Sequence, residues 1–130
     1  MTQNSTRASA ALILTAAALD VASVLLFAVI GRNSHAEAWS LSGLWQTAWP
    51  FLAGLVIAWG VAAVWLTPTA VLRSGVPVWL GTVLIGMILR VLFTPGGAAP
   101  AFVVVASVAL GTLLLGWRGI TALLRRRRRN

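Results

Sequence analysis

Apolar residues fall in four long runs, separated by short polar or glycine-proline breaks. The runs occupy 8–30, 48–66, 76–93 and a final stretch that begins at Pro100, spans 100–120 and carries on to Leu124. Each is close to the ~20 residues a helix needs to cross a bilayer. Within each run the apolar residues are nearly continuous rather than spaced for an amphipathic helix, which points to lipid as the solvent. Thr67-Pro68 closes the second run and Thr94-Pro95-Gly96-Gly97 closes the third, because the residue before proline is pushed out of the helical region. Pro50, Pro77 and Pro100 are expected in the first turns of the helices they open, where a missing N–H is harmless. The one long polar break is 31–43. There Gly31 is expected to end the first helix in a left-handed conformation, and a short interfacial helix is expected over 36–41. The pattern predicts an all-α polytopic membrane protein: one domain over 1–130, with four transmembrane helices in a bundle.

Small residues recur at four-residue spacing: Gly54 and Ala58, Thr82 and Gly86, Ser107 and Gly111. In lipid such ridges let backbones approach, so dispersion can hold the helices together. No internal repeat is evident, and an inverted-repeat carrier within one chain is not expected.

Composition sharpens the class. The 130 residues are 59% hydrophobic and include only two acids, Asp20 and Glu37. That is too little polarity to cover a soluble domain of this size. The absence of cysteine excludes disulfides and thiol chemistry. Arg7 ahead of the first run has the look of a signal peptide, but the run is too long and Asp20 interrupts it, so a retained helix is expected.

All ten cationic residues are arginines. With four spans both termini share a side, and Arg7, Arg73, Arg118 and Arg125–Arg129 fall on it, leaving Arg32 and Arg90 on or toward the other. That bias predicts cytoplasmic termini in a bacterial plasma membrane. Arg125, Arg126, Arg127, Arg128 and Arg129 form a basic tail over 125–130. It is expected to fix topology and to attract anionic lipid at the cytoplasmic face by about 1 kcal/mol per charge, and not to bind nucleic acid. Trp45, Trp49, Trp65, Trp79 and Trp117 are expected at the interfaces. Trp59 falls mid-helix and reads as packing, while Trp39 lies in the outer connection.

Candidate chemistry is sparse. Asp20 lies inside the first run, where a charge costs roughly 2.5–3.5 kcal/mol unless it is paired or wetted. Its helical face carries Ala16, Ala17, Ser23, Val24 and Phe27; that of Arg90 carries Thr82, Gly86 and Met87. Counting along the helices from the cytoplasmic side puts Asp20 roughly 18 Å deep and Arg90 roughly 20 Å deep. An Asp20–Arg90 pair is therefore expected, either as a structural lock or as a site for a proton, ion or polar solute; otherwise Arg90 snorkels to headgroups. Arg32, His35 and Glu37 mark the outer mouth of the first helix, as a wet loop or a cap over the pair. One histidine and one glutamate make a poor metal site, and no metal or cofactor is expected.

Three strings in combination carry a family resemblance: Gly31-Arg32-Asn33-Ser34-His35-Ala36-Glu37, Trp49-Pro50-Phe51-Leu52-Ala53-Gly54, and Gly86-Met87-Ile88-Leu89-Arg90. Over about 10–118 the chain resembles the domain of unknown function 3054 family, common in actinobacteria. The resemblance implies a small four-helix bacterial membrane protein and supplies no activity. The acid in the first helix is shared with small multidrug exporters, whose other motifs are missing here, and the steep arginine bias disfavours a dual-topology dimer. Two functions fit. One is translocation of a proton, ion or small solute, as a homo-oligomer or within a larger membrane complex. The other is a non-catalytic membrane subunit or assembly protein whose Asp-Arg pair is structural. With one Asp, one Glu and one His to combine, an enzyme is not expected.

Overall fold

The structure is a computed structural model describing residues 2–34 and 40–130, with side chains over 10–31 and 40–130. The described residues form α1 (Thr2–Ser34), α2 (Leu41–Ala62), α3 (Val76–Phe93) and α4 (Pro100–Arg129), with no strand among them. All four helices contain a stretch long and apolar enough to cross a membrane. The all-helical, four-helix reading of the apolar runs holds, and α3 coincides with its run from end to end.

The other helices depart from the ends of their runs, for local reasons. α1 begins ahead of the apolar stretch and passes through Gly31 to Ser34. Gly31 is buried, and a Cβ there would lie 3.9 Å from the Phe102 ring. A Cβ would find ordinary room there, and the glycine lies inside the helix and does not stop it. The expected short helix over 36–41 falls mostly outside the described residues, and Leu41 belongs to α2. That helix starts early because the Ser40 hydroxyl accepts the Gly43 N–H at 3.0 Å, capping an otherwise unsatisfied first turn. Pro50 consequently lies within α2 and not in its first turn, and lacks the N–H that would reach the Gln46 carbonyl. At the other end α2 stops at Ala62, short of the run, because Ala63 turns left-handed at φ 49° and ψ 52°. A 3₁₀ turn at Val64–Leu66 and a π turn at Val71–Gly75 then lead into α3. The arginine tail stays helical as the last turns of α4.

α1 and α4 run antiparallel, with Gly31 against Phe102 at one level and Asp20 meeting Arg118 further along. The chain ends and the α2–α3 connection share one end of the bundle, called here the terminal end. The α3–α4 turn lies at the opposite, far end. Phe27, Phe51 and Phe102 form the aromatic centre, with ring centroids 5.0, 5.9 and 6.1 Å apart. The small-residue ridges do pack helices closely. A Cβ on Gly86 would overlap the Phe51 ring, and one on Gly54 would press on the Thr82 carbonyl of α3 at 3.1 Å. Gly111 accommodates Trp79, whose indole N–H donates to the Ser107 carbonyl at 2.8 Å. Trp79 is thus a packing residue, whereas Trp45 is exposed.

Candidate functional site

On each of three helices one row at four-residue spacing faces inward. In α4 the row is Phe102, Ala106, Leu110, Leu114 and Arg118, all buried. In α1 it is Ala16, Asp20, Val24 and Ala28, also buried. In α3 it runs Val78, Thr82 and Gly86, buried, and ends on half-buried Arg90. Because Cα–Cβ bonds tilt toward a helix's own N-terminus, side chains on antiparallel α1 and α4 converge. Arg118 reaches back along α4 while Asp20 reaches back along α1, and they meet.

The result corrects the expected pairing: Asp20 is bound by Arg118, not by Arg90. The guanidinium engages the carboxylate two-pronged, Nη1 donating to Oδ1 at 2.8 Å and Nη2 to Oδ2 at 2.7 Å. Both side chains are completely buried. The Trp117 indole N–H donates to Oδ1 at 2.8 Å and that of Trp59 to Oδ2 at 2.9 Å. Each carboxylate oxygen thus accepts two hydrogen bonds, which fills its acceptor capacity. Arg118 also donates from Nε to the Pro68 carbonyl at 3.0 Å and from Nη1 to the Leu114 carbonyl at 3.1 Å. Its charge lies over the Trp117 ring, 4.3 Å from the centroid. One salt bridge therefore ties α1, α2, α4 and the α2–α3 connection. A pair in an apolar interior is retained only when the remaining donors and acceptors are also satisfied, and here the surroundings supply those partners.

Trp59 packs against the core as expected, and both Trp59 and Trp117 also present their N–H groups to Asp20, a role that packing and interfacial readings do not include. The period-four row ending on Arg118 marks it as a candidate partner, but the row ending on Arg90 has the same form, so the pattern alone does not choose between them. Arg90 sits at the far end. Its Nε donates to the Gly97 carbonyl at 3.0 Å and Nη2 to that of Gly96 at 3.4 Å, and its guanidinium stacks 3.9 Å over the Phe102 ring. A cleft of about 350 Å³ opens beside it, lined by Gln46, Thr47, Arg90 and Thr94 among others. The side chains of Arg32, His35 and Glu37, the predicted outer mouth, lie outside the described residues. No group of three metal-ligating side chains occurs among the described residues. In the tail, Arg125 donates to the Thr69 hydroxyl at 3.2 Å, and the remaining arginines are exposed.

Fold and site together define a small all-helical bundle, compatible with an integral membrane protein, closed around one saturated ion pair. Residues 17–121 match the family described as Protein of unknown function (DUF3054), and the chain belongs to that family. Comparison with curated proteins and with solved structures gives no match.

Proposed function

We propose that the chain is a multi-pass protein of the bacterial plasma membrane, with cytoplasmic termini, acting as a non-catalytic subunit or assembly component. Four apolar helices and the arginine bias support the placement. The observation that carries the functional reading is the saturation of Asp20: four donors occupy its two oxygens and a guanidinium neutralises it. A carboxylate that loads and releases a proton or ion must exchange partners during each cycle. Freeing Asp20 would strand a buried arginine, at a cost of about 3–5 kcal/mol by analogy with broken buried pairs. A lock that fixes helix register asks for no such exchange.

The cleft at Arg90 favours the second reading, translocation of a small solute, proton or ion, because it offers hydroxyl, amide and guanidinium groups at the far end. Reconstitution separates the two. Vesicles holding the protein and an internal pH dye are expected to show no leak above protein-free vesicles, and an Asp20→Asn/Arg118→Gln variant should behave alike. A proton flux that the variant abolishes would overturn the structural reading. Purification from native membranes with partners retained should then identify the complex it serves.

A further inference from the structure

We propose that the cleft between the α2–α3 connection and the last turns of α4 binds the phosphate of one anionic phospholipid headgroup. The proposal rests on the membrane placement above and replaces diffuse attraction by the tail with a defined site. The cleft has a volume of about 340 Å³; Thr69, Ala70, Val71, Arg125, Arg126 and Arg129 are among its lining residues. On α4, positions 121, 122, 125, 126 and 129 share one face, because neighbours on a helical surface are three or four residues apart. Three of the five tail arginines therefore point to the cleft, and Arg127 and Arg128 are not in its lining. Arg125 is already oriented there by its bond to the Thr69 hydroxyl at 3.2 Å.

Charge balance calls for an anion from outside. The chain has two acids for ten arginines. Asp20 is saturated by Arg118 and two tryptophans, and Glu37 lies outside the described residues. Among the described residues no carboxylate neutralises Arg125, Arg126 or Arg129. Converging guanidinium forks complement phosphate oxygens, offering paired N–H groups that a point charge cannot. The lining is basic on the α4 side and apolar at Ala70, Val71 and Ala122. Exposed Leu72, Leu123 and Leu124 adjoin it in sequence. A phosphate attached to acyl chains satisfies both halves, and free phosphate satisfies only one.

The test uses the full chain in neutral detergent, titrated with short-chain phosphatidylglycerol and read by native mass spectrometry. Short-chain phosphatidylcholine and inorganic phosphate form parallel arms. One phosphatidylglycerol should be retained per chain, with the other two ligands at least about tenfold weaker. Two variants of equal net charge then locate the site. Arg125→Gln/Arg126→Gln should weaken binding by about tenfold or more, as loss of charge-assisted hydrogen bonds predicts. Arg127→Gln/Arg128→Gln should stay within about twofold of the parent. Equal losses in the two variants would reduce the effect to net charge and overturn the site. Phosphate binding as tightly as the lipid would overturn the lipid assignment. Circular dichroism checks that both variants keep their helix. Integration into phosphatidylcholine vesicles is measured alongside: a chain that integrates but shows no phosphatidylglycerol preference loses only this proposal, whereas failure to integrate removes the membrane reading itself.

Discussion

The two ends of the bundle each hold an arginine that finishes an inward-facing row, and the two are held differently. At the terminal end Arg118 is fully buried, clamped on Asp20, and flanked by two indoles that complete the carboxylate's hydrogen bonds. At the far end Arg90 is half-buried, rests on the Phe102 ring, and donates to the carbonyls of Gly96 and Gly97 beside an open cleft. The contrast is one of solvation. Where no water reaches, a charge requires an opposite charge and a full set of donors; where the bundle opens, water, carbonyl dipoles and a ring face share in solvating it. Burial at the terminal end makes the pair hard to break, which is why it suits a lock better than a binding site.

The largest expected effect lies at the terminal end. Asp20→Ala or Arg118→Ala should each destabilise the bundle by about 3–5 kcal/mol, since each strands a buried charge; equilibrium unfolding in mixed micelles measures it. A cost under about 1 kcal/mol for both would make this end no different from an exposed pair. Next come the indoles. Trp59→Phe and Trp117→Phe keep the ring but delete a donor to a charged group, and should cost about 1.5–3 kcal/mol each in the same assay. At the far end Arg90→Gln should cost less than Arg118→Ala, because half-buried Arg90 lies beside an open cleft where water can replace lost partners, and Arg118 does not. A loss equal to that of Arg118→Ala would erase the distinction between the ends. The smallest effect has the opposite sign. Between the ends, Thr82 is buried with a hydroxyl that has no hydrogen-bond partner. Thr82→Val should leave stability unchanged or raise it by up to about 1 kcal/mol; a clear loss would mean the hydroxyl is satisfied.

Much of this is legible in the sequence, and the misses share a cause. The apolar runs locate all four helices, because continuous hydrophobicity of that length has few other uses. Their ends are less visible, because helix geometry continues into polar residues when a cap such as Ser40 permits it or a glycine such as Gly31 keeps helical geometry. Asp20 is legible as a buried charge from its position alone. Its partner is not found by backbone depth, since that ignores an arginine's length and the direction helical side chains take. Grouping Arg118 with the topology-setting arginines hid the same residue's place at the end of the row Phe102, Ala106, Leu110 and Leu114. The indole donors Trp59 and Trp117 are harder still, because a tryptophan in an apolar helix reads equally as belt, packing or hydrogen-bond donor.

The most direct test sets the two arginines against the same carboxylate in paired double-mutant cycles. One cycle combines Asp20→Asn with Arg118→Gln, the other Asp20→Asn with Arg90→Gln, with unfolding free energies measured for every single and double variant. Contact between charges in a shared network gives a coupling energy of about 0.5–3 kcal/mol, and distant sites add within about 0.3–0.5 kcal/mol. The expected result is coupling toward the top of that range for Asp20 with Arg118, and additivity for Asp20 with Arg90. Additivity in the first cycle, or coupling as strong in the second, would contradict the assignment of Arg118 as the partner that locks the bundle.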